Sequence, residues 1–241
     1  MELKIITPSE KREGAGATVK RLFPTSEIES LDPFVLFDEF FVQPDVGFPE
    51  HPHGGFEAIT YMIKGSFRHK DNMGNDEMVS KGGIQKFTAG RGIVHSEMPG
   101  DEMSQGFQLW VNLPKEKKDI QPSYQKLTSD KVHETQEKGI NIRHVVGTYY
   151  PIEFETPIEY LDIHMKEGSL GSIPINSGFE GFVYIYQGKV KVQEQVIEKG
   201  RAAILKDMTE LNVKAVEDSK LVVITGKPLS EPIKLWGSFV K

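Results

Sequence analysis

Short hydrophobic segments separated by turn-forming residues run along most of this chain. The segments are rich in β-branched and aromatic residues and often recur about 8–12 residues apart, a spacing typical of β-sandwiches and β-barrels. No segment holds apolar residues at helical spacing over three turns, so we expect only a few short helices. The pattern predicts an all-β protein. The clearest predicted strands are LKIIT, PFVLFDEF, FEAITYMIK, GFQLWVNL, IEYLDIHM, GFVYIY and KLVVIT.

The second half of the chain repeats features of the first half. GFE at 55–57, followed by a predicted strand, recurs 123 residues later at 178–180, and KG at 81–82 recurs at 199–200. Two matches in the same order indicate an internal duplication. We therefore expect two β-barrels in tandem.

A polar segment at 114–139 separates the two repeats. It is highly charged and nearly free of apolar periodicity, so we interpret it as a connector in which Tyr124 and Leu127 can pack down. We place one barrel in residues 1–125 and the second in residues 126–241, with the C-terminal tail free to pack back on the first barrel.

Composition narrows the chemistry available to these barrels. The 241 residues include no cysteine, which excludes disulfides, thiolate metal sites and a cysteine nucleophile. The net charge of −6, without a dense Lys/Arg cluster, argues against direct nucleic-acid binding. No apolar run approaches the ~20 residues that span a bilayer, and the N-terminus does not resemble a signal peptide. We expect a cytoplasmic monomer with no membrane association.

Two pairs of metal-ligating residue types stand out. His51 and His53 are two residues apart, as are His95 and Glu97. In a strand such residues point to one face, with Cα atoms about 6.6 Å apart, and neighbouring strands lie about 4.8 Å apart. One such pair alone is most often solvent-facing, but two pairs within Gly-rich turns favour a shared cation. Pro52 places the first pair at a strand end or sheet edge.

The sequence around these pairs resembles that of the pirin family, within the cupin superfamily. HPHGGFE at 51–57 and TAGRGIVHSEMP at 88–99 are similar to the two signature motifs of that family, and segments at 31–40 and 106–114 and GKPLSEPI near the C-terminus are also similar. The match is dense from about residue 14 to 114 and sparse from there to the tail. The resemblance implies two tandem cupin-type (jelly-roll) barrels, with one mononuclear metal in the N-terminal barrel.

The resemblance also implies a ligand set, namely His51, His53, His95 and Glu97. Glu57 is the rival carboxylate, because many other cupins take their ligand glutamate from the first motif. The alternation of side chains along a strand allows Glu57 to be a ligand, since residues 51, 53 and 57 share a face if the strand is regular.

The internal repeat favours Glu97 over Glu57. The counterpart of Glu57, Glu180, lies in a half where Pro174 and Asn176 stand at the histidine positions. A glutamate present without its histidines indicates a structural or supporting role. The second barrel is therefore expected to be metal-free. The remaining histidines are placed outside the site. His69 lies in a predicted hairpin and is expected to be exposed, and each of His133, His144 and His164 is interpreted as a surface residue or a hydrogen-bonded core residue.

Further residues near the motifs bear on the cavity. Gly54 departs from the family pattern, in which this position is often basic, and we expect its small size to widen the entrance to the metal. Four side chains in the similar segments are expected to line or support the cavity, although parity does not select among them: Asp38, Glu39, Gln108 and Trp110.

Three imidazoles and one carboxylate leave open positions on a six-coordinate ion, as in non-haem Fe(II) oxygenases. One divalent metal is expected; the resemblance implies Fe(II), and the ligand types are also compatible with Mn, Co, Ni, Cu or Zn. The resemblance implies a dioxygenase similar to quercetin 2,3-dioxygenases, acting with O₂ on a flavonol-like phenolic or enediol substrate, with Glu97 as catalytic base as well as ligand. The alternative is a redox-sensing regulator that binds partner proteins such as transcription factors without turnover. A purely structural metal is the third hypothesis.

Overall fold

The protein is built almost entirely from antiparallel β-strands. The computed structural model describes residues 2–147, 149 and 152–241. The helical segments among these residues are two 3₁₀ turns, Lys115–Lys117 and Ser129–Lys131, and no described helix has the length and apolar character needed to cross a membrane. The predicted all-β fold class is confirmed.

The strands are numbered in chain order. The first twelve are β1 (Ile5–Ile6), β2 (Ser9–Glu13), β3 (Ala17–Phe23), β4 (Phe34–Val42), β5 (Phe48–His53), β6 (Phe56–Lys64), β7 (Ser66–Asp71), β8 (Asp76–Ser80), β9 (Ile84–Thr88), β10 (Ile93–Pro99), β11 (Ser104–Asn112) and β12 (Ser123–Leu127). The next twelve are β13 (Glu134–Glu137), β14 (Ile140–Val146), β15 (Ile158–Met165), β16 (Leu170–Pro174), β17 (Glu180–Gln187), β18 (Lys189–Val192), β19 (Gln195–Glu198), β20 (Arg201–Leu205), β21 (Glu210–Ala215), β22 (Ser219–Gly226), β23 (Leu235–Trp236) and β24 (Phe239–Val240).

The chain forms two compact units. We call the first the N-barrel, which consists of residues 9–132, 154–156 and 229–241. The second is the C-barrel, which consists of the described residues of 1–8, 133–153 and 157–228. The tail that carries β23 and β24 is therefore part of the N-barrel, and the short N-terminal strand β1 pairs with β20 in the C-barrel.

The polar segment 114–139 is more ordered than the expected connector. It contributes β12 to the N-barrel, where it pairs with β9, and β13 to the C-barrel, where it pairs with β14. Tyr124 stacks on the ring of His69 at a centroid distance of 4.5 Å, and Leu127 is buried. Both side chains therefore pack down, as predicted from the sequence.

The two barrels share one strand order. The large sheet runs β12-β9-β6-β11-β4-β3-β2 in the N-barrel and β1-β20-β17-β22-β15-β14-β13 in the C-barrel. The small sheet runs β5-β10-β7-β8 in the N-barrel and β16-β21-β18-β19 in the C-barrel. The orders match strand for strand, with β1 in the place of β12, as expected for a duplicated unit.

The repeated KG dipeptides form the same turn in both barrels. Lys81 N–H donates to the Gly65 carbonyl at 2.9 Å and Gly82 N–H to the Met62 carbonyl at 2.7 Å. In the C-barrel, Lys199 and Gly200 make the equivalent bonds to Gly188 and Ile185, also at 2.9 and 2.7 Å. Gly82 and Gly200 both have positive φ, 75° and 79°, a conformation that glycine adopts without strain. The dipeptide repeated in the sequence therefore forms a turn repeated in the structure.

The barrels differ in what they enclose. The C-barrel holds a large cluster of buried aliphatic side chains. The N-barrel has apolar clusters that include Met62 and Ala58 on β6, but Thr60, which lies between them on the same face of that strand, is a buried polar residue. A buried polar layer therefore interrupts the apolar interior of the N-barrel.

Candidate metal centre

The two predicted pairs meet on neighbouring strands of the small sheet. β5 is the edge strand of that sheet and pairs with β10, so that His51 lies directly opposite His95. The ring centroids of His51, His53 and His95 are 4.5, 4.6 and 4.9 Å apart. Pro52 lies on this edge strand, in agreement with the prediction, because a residue without an N–H is tolerated there.

Each of the three imidazoles has its Nδ1 atom engaged. Nδ1 of His51 contacts the Pro49 carbonyl at 2.7 Å, and Nδ1 of His53 contacts the Ser238 carbonyl at 3.1 Å. Because a carbonyl only accepts, both rings carry their proton on Nδ1 and keep an Nε2 lone pair. Nδ1 of His95 contacts Nδ1 of His69 at 3.3 Å, while Nε2 of His95 is buried without a hydrogen-bond partner. Three such Nε2 atoms fit a transition-metal ion.

Burial keeps two of these rings, those of His53 and His95, neutral. Burial, followed by the proximity of His51, lowers the pKa of His53 to about 3. Burial also lowers the pKa of His95 well below its ordinary value, with smaller contributions from His53, His51 and His69. Neutral imidazole is the form that binds a metal.

Glu97 is buried in the polar layer of the N-barrel. Its Oε1 accepts from Gln85 Nε2 at 2.6 Å and from the Thr60 hydroxyl at 3.1 Å, and its Oε2 accepts from Gln108 Nε2 at 3.0 Å. A carboxylate offers about four lone-pair sites. Three are filled here, so one site on Oε2 remains available for a cation.

The liganding atoms fall into two overlapping groups, each with its atoms within 4.8 Å of one another: His51, His53 and His95 in one group, and His69, His95 and Glu97 in the other. The first group contains the three predicted histidines. Glu97 belongs to the second group, with His95 common to both. Sequence reasoning missed His69.

The expectation that His69 lies exposed in a hairpin is wrong. Its side chain is fully buried on β7, opposite Glu97 on β10. Its Nε2 contacts Asp71 Oδ2 at 3.0 Å. Burial alone would raise the pKa of Asp71, but hydrogen bonds from Asn75, from His69 and from two backbone amides bring it below its ordinary value. The alternation of buried Phe67, His69 and Asp71 was the signal in the sequence, hidden by the polar residues between them.

Glu57 points away from the three histidines. β5 ends at His53, and Gly55, with φ of 82°, precedes the start of β6, so the shared parity expected for residues 51, 53 and 57 is lost. Glu57 Oε1 pairs with Lys86 Nζ at 2.5 Å, and its Oε2 accepts the Glu155 N–H at 2.8 Å. Both members of this ion pair are buried, which indicates a structural role for Glu57.

A cavity of about 650 Å³ opens beside the histidines. Among the four side chains expected near it, Asp38, Gln108 and Trp110 line its wall, whereas Glu39 does not. Glu39 accepts instead from Gln105 Nε2 at 2.8 Å. The other lining side chains include aromatic and aliphatic residues together with predicted ligands: Val19, Leu36, Phe40, Phe48, Phe67, His51, His53, Glu97 and Leu235.

A cluster of charges forms part of the cavity wall. Arg21 donates to Asp38 through Nε at 2.9 Å and Nη2 at 2.6 Å, and its Nη1 lies 2.7 Å from Glu13. Sequence reasoning did not single out Arg21 or Glu13. Arg21 has the same parity as Ala17 and Val19 on β3, which are buried, and this alternation was the available signal.

The C-terminal tail also forms part of this wall, through Leu235, Gly237 and Ser238. Gly54 does not line this cavity, so the expected widening of the entrance at Gly54 is wrong. A Cβ atom at Gly54 would lie 2.9 Å from the Phe239 ring. The small size of Gly54 therefore accommodates the tail. The tail's role was not predictable, because no local pattern links Ser238 to His53.

Among the described residues, the histidines of the C-barrel join no group of metal-ligating atoms. His164 Nε2 lies 3.2 Å from Asp162 Oδ2 and 3.0 Å from the Tyr186 hydroxyl. His133 and His144 lie 5.3 Å apart between ring centroids. These contacts agree with the prediction of hydrogen-bonded or surface histidines.

Known proteins share this architecture. A family model described as Pirin matches residues 16–111, and one described as the Pirin C-terminal cupin domain matches residues 160–241. Pirin of Rattus norvegicus is 39% identical, over 96% of this chain and 84% of the rat protein. A Pirin-like protein of Caulobacter vibrioides is 35% identical, over 99% of this chain and 91% of that protein. The crystal structure of a quercetin 2,3-dioxygenase from Acinetobacter baumannii is 29% identical, with a TM-score of 0.90 over 98% of this chain and 90% of that one.

Proposed function

The chain belongs to the pirin family, and from that premise we propose that it is a metal-dependent dioxygenase with quercetin 2,3-dioxygenase-type activity. The proposed metal ligands are Nε2 of His51, His53 and His95 together with Oε2 of Glu97. The observation that carries the proposal is the convergence of three imidazoles, each with Nδ1 engaged, beside an aromatic-lined cavity of about 650 Å³.

We propose Fe(II) as the metal. An ion held by three imidazoles and one carboxylate would act as a Lewis acid towards a substrate oxygen and give access to O₂ chemistry. The same ligands accept Mn, Co, Ni, Cu and Zn, so loading has to be tested metal by metal.

The cavity suits a flat phenolic substrate. Its volume lies within the range of about 300–1,000 Å³ that is typical of small-molecule sites. The rings of Phe40, Phe48 and Trp110 line it and provide aromatic contact with a flavonol-like ring system. Asp38 and Arg21, which line the same cavity, provide hydrogen-bonding groups for substrate hydroxyls.

Glu97 is the proposed catalytic base. Gln85 and Thr60 hold Oε1, and Gln108 holds Oε2 through one hydrogen bond, so the carboxylate keeps a fixed orientation. Oε2 would accept the proton of a substrate hydroxyl once its contact with the metal loosens on substrate binding. General-base assistance of this kind typically contributes about 10²–10⁴-fold to a rate.

The accessibility of the site supports an enzyme over a regulator that binds only proteins. A regulator requires a surface that responds to the metal, whereas an enzyme requires a path for a substrate to the metal. The cavity opens on His51, which is only half-buried, and its wall carries large apolar and aromatic side chains: Val19, Leu36, Phe40, Phe48, Phe67, Trp110 and Leu235.

The direct test is anaerobic loading of metal-free protein with Fe(II), Mn(II), Co(II), Ni(II) or Cu(II), followed by quercetin and O₂. We expect loss of the flavonol absorbance together with uptake of one O₂ per quercetin in at least one loaded form. Glu97→Gln is expected to abolish that turnover. Absence of turnover with every metal would overturn the quercetinase proposal and leave the redox regulator and the structural metal.

The cavity itself is tested by a matched pair of substitutions. Phe48→Ala removes a ring from the cavity wall and is expected to raise KM for quercetin about tenfold, since ~1.4 kcal/mol of apolar contact is lost. Phe41→Ala makes the same change at a partly exposed position that does not line the cavity and should leave KM unchanged. Equal effects of the two changes would place the substrate elsewhere.

A further inference from the structure

A fourth histidine and an aspartate support the candidate metal ligands from within the N-barrel. His69 and Asp71 lie on β7, opposite Glu97 and His95 respectively on β10. The His69 side chain is fully buried, and Tyr124 stacks on its ring at 4.5 Å. Neither His69 nor Asp71 lines the cavity, so a contact with substrate does not explain their burial.

The carboxylate of Asp71 is saturated with donors. Oδ1 accepts the backbone N–H groups of Met73 at 2.9 Å and of Asn75 at 3.1 Å. Oδ2 contacts the Asn75 amide nitrogen at 2.8 Å and Nε2 of His69 at 3.0 Å. Because a carboxylate only accepts, His69 carries its proton on Nε2 and its Nδ1 atom has a lone pair.

The position of the proton on His69 determines which nitrogen of His95 is protonated. Nδ1 of His69 lies 3.3 Å from Nδ1 of His95, and one of these two atoms has to donate. Since His69 has its proton on Nε2, His95 donates from Nδ1. This leaves the lone pair of His95 on Nε2, the buried atom without a hydrogen-bond partner.

We propose that Asp71 and His69 are positioning residues that fix the tautomer of His95 and thereby set the affinity and redox potential of the metal. The inference rests on the proposed metal centre and extends it beyond its ligands. The negative charge of Asp71, passed on through two hydrogen bonds, makes Nε2 of His95 a stronger donor. That donation favours Fe(III) over Fe(II), so the pair lowers the midpoint potential of bound iron.

The C-barrel shows that burial at this position does not require a histidine. The strand β18 corresponds to β7, and its buried Val192 pairs with Val213 where His69 pairs with Glu97. The C-barrel also contains a His–Asp contact, His164 with Asp162 at 3.2 Å, which belongs to no group of metal-ligating atoms. That contact provides a matched control.

Asp71→Asn should reverse the tautomers of His69 and His95. The two backbone N–H groups hold the side-chain oxygen at the Oδ1 position, so the new NH₂ group faces Nε2 of His69, and the Asn75 amide turns to present its oxygen to that group. His69 then accepts at Nε2, carries its proton on Nδ1 and donates to Nδ1 of His95. The proton of His95 moves to Nε2, where it competes with the metal for that atom.

The first readout is the ¹⁵N spectrum of the histidine rings in metal-free protein. We expect the wild type to show His95 protonated on Nδ1 and His69 on Nε2, and Asp71→Asn to show both tautomers reversed. A wild-type His95 with its proton on Nε2 would overturn the proposal without any variant, so a failure of Asp71→Asn to fold does not affect the test.

The second readout is metal binding and potential. Asp71→Asn is expected to weaken metal binding about 10–100-fold, as is typical for groups that orient a ligand, and to raise the Fe(III)/Fe(II) midpoint potential. Asp162→Asn should change neither quantity. Wild-type affinity and potential in Asp71→Asn would overturn the proposal. A wild type that binds metal with the expected tautomers but does not turn over quercetin would contradict only the proposed function.

Discussion

The N-barrel and the C-barrel place different chemistry on the same strand positions. In the N-barrel, His51 on β5 lies opposite His95 on β10. In the C-barrel, the corresponding strands β16 and β21 place Ile173 opposite Leu211. One strand order therefore serves either a polar centre or an apolar core, depending on a few inward-facing residues.

The comparison also shows what the polar centre requires. Burying polar groups without partners costs several kcal/mol, and in the N-barrel each carboxylate of the centre has donors around it: Glu97 has three and Asp71 has four. The C-barrel fills the corresponding interior with Val192, Val213 and their neighbours. The amides and hydroxyls of the N-barrel are therefore part of the candidate site.

The structure corrects one detail of the repeat. Pro174 and Asn176 were expected at the positions of the histidines, but both are exposed. The buried residues are Ile173 and Ile175, one position earlier. A shift of one residue reverses the face of a strand, so an alignment without structure exchanged the inward residues for the outward ones.

The largest expected effect is on the free energy of unfolding, and it should differ between the two equivalent glutamates, Glu57 and Glu180. Glu57 pairs with Lys86 in the buried interior, whereas Glu180 pairs with Lys206 at 2.9 Å, with 28% and 55% of the two side chains exposed. Glu57→Gln leaves a buried lysine without its counter-charge and should lower the free energy of unfolding by ~3–5 kcal/mol. Glu180→Gln should lower it by less than ~1 kcal/mol. Urea unfolding measures both, and equal losses would contradict the structural role assigned to Glu57.

The next effect is a loss of metal-binding affinity. Glu97→Gln removes the proposed ligand and should weaken metal binding by more than ~100-fold, equivalent to ~2.7 kcal/mol, because an amide oxygen carries no charge. Glu57→Gln, assayed at a temperature where it is folded, should bind metal within about threefold of wild type. Chelator competition gives both constants. Similar losses at the two positions would mean that the internal repeat misled the choice of carboxylate.

A third effect is the pH dependence of the free energy of unfolding. In metal-free protein, burial lowers the pKa of His53 to about 3, against about 6.5 for an unfolded histidine. As the pH falls from about 6.5 towards 3, the unfolded chain binds a proton that the native state excludes, so stability declines by up to ~1.4 kcal/mol per pH unit from this residue.

The matched substitutions for this prediction lie in the two barrels. His53→Gln should reduce the slope of unfolding free energy against pH between pH 6.5 and 4, as measured by urea titration. Burial lowers the pKa of His144 in the C-barrel as well, but His144 is less deeply placed, and His144→Gln should leave most of the slope intact. The reverse outcome would show that the burial of His53 does not contribute to this slope.

Local sequence pattern accounted for the strands and for the three histidines. The i, i+2 spacing placed His51 with His53, and their meeting with His95 followed from strand pairing. The buried pair His69 and Asp71 was missed because exposed charges at Arg68 and Lys70 gave the segment the composition of a surface hairpin.

Other parts of the site depend on contacts between distant segments. Ser238 reaches His53 from 185 residues away, and Glu155 reaches Glu57 from 98 residues away. No periodicity reports such contacts, because they depend on how the tail and the 154–156 segment fold onto the N-barrel. The choice between Glu97 and Glu57 needed the same information, since Gly54 and Gly55 interrupt the strand on which parity was counted.

The central claim is that one metal ion binds at His51, His53, His95 and Glu97 and that the C-barrel binds none. Anomalous diffraction from crystals of protein loaded with Fe(II) under anaerobic conditions tests it most directly. We predict one strong peak at the iron edge, within bonding distance of Nε2 of the three histidines and of a Glu97 oxygen, and no peak in the C-barrel. A peak bonded to His69 in place of His51 and His53, or a second peak in the C-barrel, would contradict the account.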